Sequence, residues 1–172
     1  MGATGQHDAA GHLIRDRALV YGADEKIARW VGKQIPTFQV MPGARAIGVI
    51  KGKRLVAGVI YERYNGIHLE ASIAAVPGSR WADRHTLRGI FAYPFIDLNC
   101  RAISVVVGAT NLESLNLATK LGFWPEAIVK FAAPDGADLV VLKQLREQCR
   151  WIQDGQGRQR TGTAIADENG GG

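Results

Sequence analysis

Apolar positions along this chain fall into two periods, and the switches between them mark out its elements. Ile27, Trp30 and Val31 recur at helical spacing over residues 23–34, which predicts an amphipathic helix ended by Pro36. Residues 46–50 and 55–61 are β-rich apolar runs on either side of Lys51-Gly52-Lys53-Arg54, the pattern of a hairpin. Asn65-Gly66, a strong hairpin signal, joins the second run to a third over residues 67–75. Residues 12–21 read as a strand ahead of the first helix.

After Pro77-Gly78, Leu87, Ile90, Phe91, Phe95 and Leu98 recur at helical spacing over residues 83–98. Pro94 falls inside this pattern and predicts a kink, because proline offers no N–H and crowds the carbonyl of Ile90. Residues 101–108 contain Val105, Val106 and Val107, a continuous β-branched run that predicts a central strand buried on both faces. A helix follows at once over residues 111–121. Thr110 and Glu113 have capping-box spacing, and Leu112, Leu115, Leu117 and Leu121 supply an apolar face. Gly122 is placed to end the helix with a positive φ. Two further strands are expected at residues 127–132 and 139–142, around the turn Pro134-Asp135-Gly136.

The order is therefore strand, helix, three antiparallel strands, helix, strand, helix, two strands. It predicts an α+β fold with a mixed, mostly antiparallel central sheet flanked by helices. Residues 12–152 read as one domain between tails at 1–11 and 153–172, the second rich in Gly, Gln and Arg. With 172 residues, 47% hydrophobic and 22% charged, the chain is long enough for a substantial core.

The net charge of +5 favours anionic partners in general: a nucleotide-bearing cofactor, a nucleic acid or an acidic protein. Cys100 and Cys149 form no C-x-x-C motif, which argues against a disulfide scaffold and for two reduced thiols. His7, His12, His68 and His85 have no metal-ligand spacing, so no metal is expected. The first residues lack a signal-peptide apolar region, and no run approaches the ~20 apolar residues of a membrane span. A cytoplasmic protein with no membrane association is the expectation.

The spacing from Asn111 through Ser114 to Gly122-Phe123, following the strand at 102–108, resembles motif B of the GNAT superfamily of acyl-CoA-dependent N-acyltransferases. The order of elements over roughly residues 12–148 is similar to that of the GNAT fold. The segments Tyr93-Pro94-Phe95, Arg80-Trp81 and Cys149-Arg150-Trp151 further resemble small GNAT-like proteins encoded by bacteriophages. The resemblance implies acetyl-CoA as co-substrate and a primary amine of a small molecule or protein as acceptor. Among oligomeric states a homodimer is compatible with it.

In that superfamily a loop of the type Arg/Gln-x-x-Gly-x-Gly/Ala binds the cofactor pyrophosphate ahead of the central helix. The matching stretch here is Arg80-Trp81-Ala82-Asp83-Arg84-His85, in which Asp83 and His85 replace the small residues. Two readings stand side by side. In one, Asp83 is a helix N-cap and Arg84 and Arg88 are a solvated face. In the other, Arg80, Arg84 and Arg88, with His85, supply by side-chain charge what the loop has lost in backbone access. Trp81 either stacks on an adenine or covers the helix start. Asn111 and Ser114 match positions that face the pantetheine arm, and the tyrosine that often serves as general acid is replaced by Ala118.

Direct acyl transfer needs a base for the amine and a polarising donor for the thioester. Glu70 is the candidate base. His68 lies two residues earlier on the same strand face, and a backbone N–H near residues 71–73 is the candidate donor. The competing reading, which His68 fits better than Glu70, is that both are solvent-facing residues of an antiparallel sheet. Tyr61, Tyr64 and Tyr93 are alternatives to the missing acid. Two other functions compete: modification of nucleic-acid bases, consistent with Arg150, Arg158 and Arg160, and a catalytically inactive binding or assembly module, consistent with the altered loop and Ala118.

Overall fold

The computed structural model describes residues 16–35 and 38–153. His7, His12, Pro36, Arg158, Arg160, the first four residues of the expected first strand and nearly all of both expected tails lie outside the described residues. Seven strands form one sheet: β1 (Arg17–Val20), β2 (Arg45–Lys51), β3 (Arg54–Glu62), β4 (His68–Ala75), β5 (Ala102–Gly108), β6 (Trp124–Val129) and β7 (Leu139–Leu145). They run in the spatial order β1-β2-β3-β4-β5-β7-β6, and β4–β5 is the parallel pair in an otherwise antiparallel sheet. Three helices flank it: α1 (Asp24–Gln34), α2 (Arg84–Ala92) and α3 (Leu112–Leu121). The α+β class and the element order are those expected from the sequence.

Helix α1 lies on one face of the sheet. Ile27, Ala28 and Val31 pack with Ala46, Ile60 and Ala74 into a small core. The helix reaches the sheet over the cross-strand pair Gly48 and Gly58, where a β-carbon would meet Ile27 or Val31 side-chain atoms at 2.6–3.2 Å. Helices α2 and α3 cover the opposite face. There Leu87, Ile90, Phe91, Ala118 and Leu121 pack with Val59, Leu69, Ile103 and Leu142 into the main core. Cys100 and Cys149 are both buried free thiols in this core.

Pro94 has a different local effect from a simple kink. Helix α2 widens at Tyr93–Asp97 into a π-helical turn. Proline supplies no N–H to the carbonyl of Ile90, and the buried Tyr61 hydroxyl donates to that oxygen instead, at 2.9 Å. The expected capping box also shifts by one residue. The N-cap of α3 is Asn111, whose Oδ1 accepts from Ser114 N at 3.0 Å, so Thr110 lies outside the helix. Gly122 ends α3 in the left-handed region (φ 105°), as expected. Strand β6 begins earlier than residue 127, directly after that cap, and is left behind at Phe131 (φ 53°).

Strand β5 departs from the expectation of burial on both faces. Val105 is buried but Val106 is 44% exposed. The reason is tertiary: α1 covers the β1–β4 half of its face, and β4 and β5 part company midway.

Candidate functional site

The site begins where a hydrogen-bond ladder stops. Strands β4 and β5 are in register over His68↔Ala102, Leu69↔Ile103 and Glu70↔Ser104, and no further. Beyond that point β4 stays with β3 and β5 stays with β7. The two strands diverge, and a cavity of about 1200 Å³ opens between residues 71–75 and residues 105–108. Its walls continue into the 76–83 loop and the first turns of α3.

Strand alternation fixes which backbone groups face this opening. Val76 N donates to Val56 O, so even-numbered residues of β4 turn their backbone groups to β3; on the other side Ala102 N donates to Ile67 O. By the same alternation, Ile73 and Ala75 direct their N–H and C=O groups across the opening toward β5. Arg146 N donates to Arg101 O, which turns odd-numbered residues of β5 to β7 and leaves Val106 facing β4. The cleft is thus edged by main-chain donors and acceptors that have no partner strand among the described residues. An extended chain bearing amides fits such an edge in the way an added strand does.

The loop at the cleft mouth is held by Trp81, which is buried in the main core. Arg80, just before it, adopts a left-handed conformation (φ 51°). Asp83 is the N-cap of α2. Its Oδ1 accepts from Thr86 N at 2.8 Å and its Oδ2 from Arg17 Nη1 at 2.6 Å. Burial works to raise its pKa, but the Thr86 and Arg17 hydrogen bonds outweigh that and hold it below the usual carboxylate value. Arg17, from β1, lines the cavity alongside Ser79 and Arg80. Contact between residues 66 apart leaves no trace in spacing, so sequence reasoning had no means to bring Arg17 here.

Of the residues the sequence singles out, Arg80, Trp81, Ala82, Asp83, Asn111 and Ser114 all line the cleft. Arg84 and His85 are exposed on the first turn of α2, outside the lining. Ala118 is buried in the wall, where it offers no acid. Glu70 and His68 do not line the cavity; they stand on the paired stretch at its apex. Glu70, in the last paired position, meets Arg63 Nε at 3.3 Å. His68 Nε2 lies 2.7 Å from Ser104 Oγ. Burial, then the charge of Lys143, lowers the His68 pKa, against a smaller opposing pull from Glu70 and Glu126.

The tyrosines are engaged elsewhere. Tyr61 donates to Ile90 O and Tyr64 to Leu98 O, and with Tyr93 they line a second cavity of about 450 Å³ by the N-terminal end of β4. Among the described residues no group of three or more His, Cys, Asp or Glu side chains could hold a metal ion, and no helix is long and apolar enough to cross a membrane.

A mixed sheet that splays between its fourth and fifth strands, with helices at the mouth of the splay, defines the class: the chain has the GNAT fold. Solved structures of Vibrio cholerae spermidine N-acetyltransferase SpeG are similar to it. The complex with CoA and spermine aligns with a TM-score of 0.63 at 16% identity, over 80% of this chain and 99% of that one. A dodecameric form in an intermediate state aligns at 0.62 and 18% identity over 77% and 95%, and a complex with manganese ions at 0.63 and 17% over 77% and 94%. At these identities the likeness is one of fold. No protein-family model matches the chain, and no curated protein matches it in sequence.

Proposed function

We propose that this chain is an acetyl-CoA-dependent N-acetyltransferase that acts on a primary amine of a small molecule or protein by direct attack. One observation carries the reading: the opening of β4 from β5 leaves unpaired main-chain groups of Ile73, Ala75 and Val106 along a cleft of about 1200 Å³. A pantetheine arm has the amides to pair with such an edge, and Asn111 and Ser114 stand beside it. The basic mouth at Arg80 and Arg17 suits the cofactor phosphates. That a structure of the same fold was solved with CoA and spermine supports the choice of ligand classes.

In this mechanism the thioester lies near the apex of the splay, where an N–H of β4 polarises its carbonyl. Glu70 takes the proton of the incoming ammonium, directly or through water, with His68 as its neighbour on the same strand face. The neutral amine attacks the carbonyl carbon, the C–S bond breaks, the thiolate leaves, and the acylated nitrogen releases its surplus proton to solvent. Ala118 gives the thiolate no proton, so its protonation also comes from solvent. A cytoplasmic setting, where acetyl-CoA is made and used, fits the reading, with residues 12–152 as the acting domain.

The buried Ala118 and the loop without glycine favour a second reading, a binding module on the same fold without catalysis. Titration calorimetry with acetyl-CoA separates the two. Micromolar binding, weakened in Arg80→Ala, together with acetylation of a diamine panel, supports the enzyme. Absence of binding removes the enzyme and favours the module.

A further inference from the structure

Two polar atoms in the wall of the cleft make no hydrogen bond, although Arg17 Nε is ion-paired with Asp16. Arg17 Nε and Ser79 Oγ are shielded from solvent without a hydrogen bond among the described residues, and both residues line the cavity. Asp16 Oδ1, at 3.7 Å from Arg17 Nε, is too far to accept a hydrogen bond from it. A shielded N–H or O–H without an acceptor costs free energy, which an incoming anion can return.

We propose that Arg17, reaching the cleft mouth from the edge strand β1, is the residue that grips the diphosphate of the thioester cofactor, with Asp83 as its positioning residue. The proposal rests on the reading of the cleft as an acyl-CoA site. Asp83 holds Arg17 through one nitrogen, Nη1, at 2.6 Å. The Nε–H and Nη2–H edge of the guanidinium is the planar fork that matches two phosphate oxygens; its Nε makes no hydrogen bond and has the Asp16 carboxylate at 3.7 Å, which a bound diphosphate would displace. Asp83 is itself fixed by Thr86 N at the start of α2, so the Nη1 end of the guanidinium is anchored before any ligand arrives.

This arrangement resolves the presence of an aspartate where an anion is to bind. Asp83 is already satisfied by the Thr86 N–H and by Arg17, and its role is to place a cation. The Asp83 side chain stands where a glycine loop would give close backbone approach, and Arg17 supplies charge instead. Ser79 adds a hydroxyl donor and Arg80 a second cation at the mouth. Arg84 and His85, outside the lining, are not needed for it.

The test is titration of the full chain with CoA and with pantetheine, which lacks every phosphate, for the wild type, Arg17→Met and Arg17→Lys. Loss of a charge-assisted hydrogen bond predicts CoA binding weakened about ten-fold or more in Arg17→Met. Pantetheine binding is unchanged in that variant, and Arg17→Lys recovers part of the CoA affinity through charge without the fork. Should Arg17→Met not fold, the drop from wild type to Arg17→Lys, again confined to CoA, carries the same comparison. Equal affinity for CoA in wild type and both variants overturns the role of Arg17 alone. Equal weakening toward CoA and pantetheine also overturns it, since Arg17 then acts only in shaping the cleft. A wild type that binds pantetheine but not CoA overturns it too, and one that binds neither overturns the acyl-CoA reading as well.

Discussion

Tyr61 shows how a single hydroxyl answers a single missing N–H. Its donation to Ile90 O stands where Pro94 has removed the helical donor, inside the main core. Tyr61→Phe leaves that carbonyl short of a partner, with an expected loss of about 1–3 kcal/mol in chemical denaturation. In a Pro94→Ala background the restored N–H can serve the carbonyl, so the same substitution costs less there. Equal losses in both backgrounds would show that the hydroxyl does not serve as that replacement. The same bond explains why Tyr61 makes a poor general acid: burial first, then the neighbouring Tyr21 and Tyr93, push its pKa well above the usual tyrosine value.

Two titrating residues give pH predictions of the same sign. Asp83 is held below its ordinary value, so the folded state takes up its proton later than the unfolded chain. It adds stability above the carboxylate range, lost as pH falls through its lowered pKa. Asp83→Ala removes an N-cap, costs about 1 kcal/mol at neutral pH, and flattens the acid limb of a thermal-melt series. His68 is also lowered, and its neutral form is favoured on folding. It contributes stability present above the ordinary histidine value and lost as pH drops through the lowered one. A His68→Gln variant is expected to lose the part of the pH dependence that lies just below 6.5.

At the scale of elements, α1 sits tightly on the sheet. Gly58 faces Val31 and Ile27 with no room for a β-carbon, the nearest atom standing 2.6 Å away. Gly58→Ala should therefore push α1 outward at a cost of about 1–3 kcal/mol, an overpacking penalty. Gly32→Ala, which meets only one atom at 4.0 Å, should not destabilise by that mechanism. Comparison of the two urea midpoints checks it. The α3 start is set just as locally: Asn111→Ala removes the side-chain acceptor for Ser114 N, with about 1 kcal/mol expected from the lost cap. Because Asn111 also lines the cleft, that change should weaken the proposed cofactor site as well.

For the whole molecule, the decisive feature is the parting of β4 from β5 after Glu70↔Ser104. A ligand that pairs with the free edges closes the gap in the sheet and binds only the folded chain. Acetyl-CoA at about a hundred times its Kd should raise stability by about 2.7 kcal/mol, read as a concentration-dependent increase in Tm. A melting temperature indifferent to acetyl-CoA at millimolar concentration would count against the cleft as its site.

The element order was legible because it rests on local physics. Periodicity in Leu87, Ile90 and Phe91, the Gly122 stop and the turn at Asn65-Gly66 each act within a few residues. The loop residues Arg80 to Asp83, with Asn111 and Ser114, could likewise be placed at the cleft from motif spacing. What local patterns do not carry is register and approach between distant segments. The choice of Asn111 over Thr110 as cap, the Tyr61 bond to Ile90, the exposure of Val106 and the arrival of Arg17 at Asp83 depend on where strands end against one another. The sequence by itself therefore determined the elements, their order and the class of fold. Tertiary structure alone decided where the sheet opens and which charge stands at its mouth, because a cleft is a relation between strands and not a property of either one.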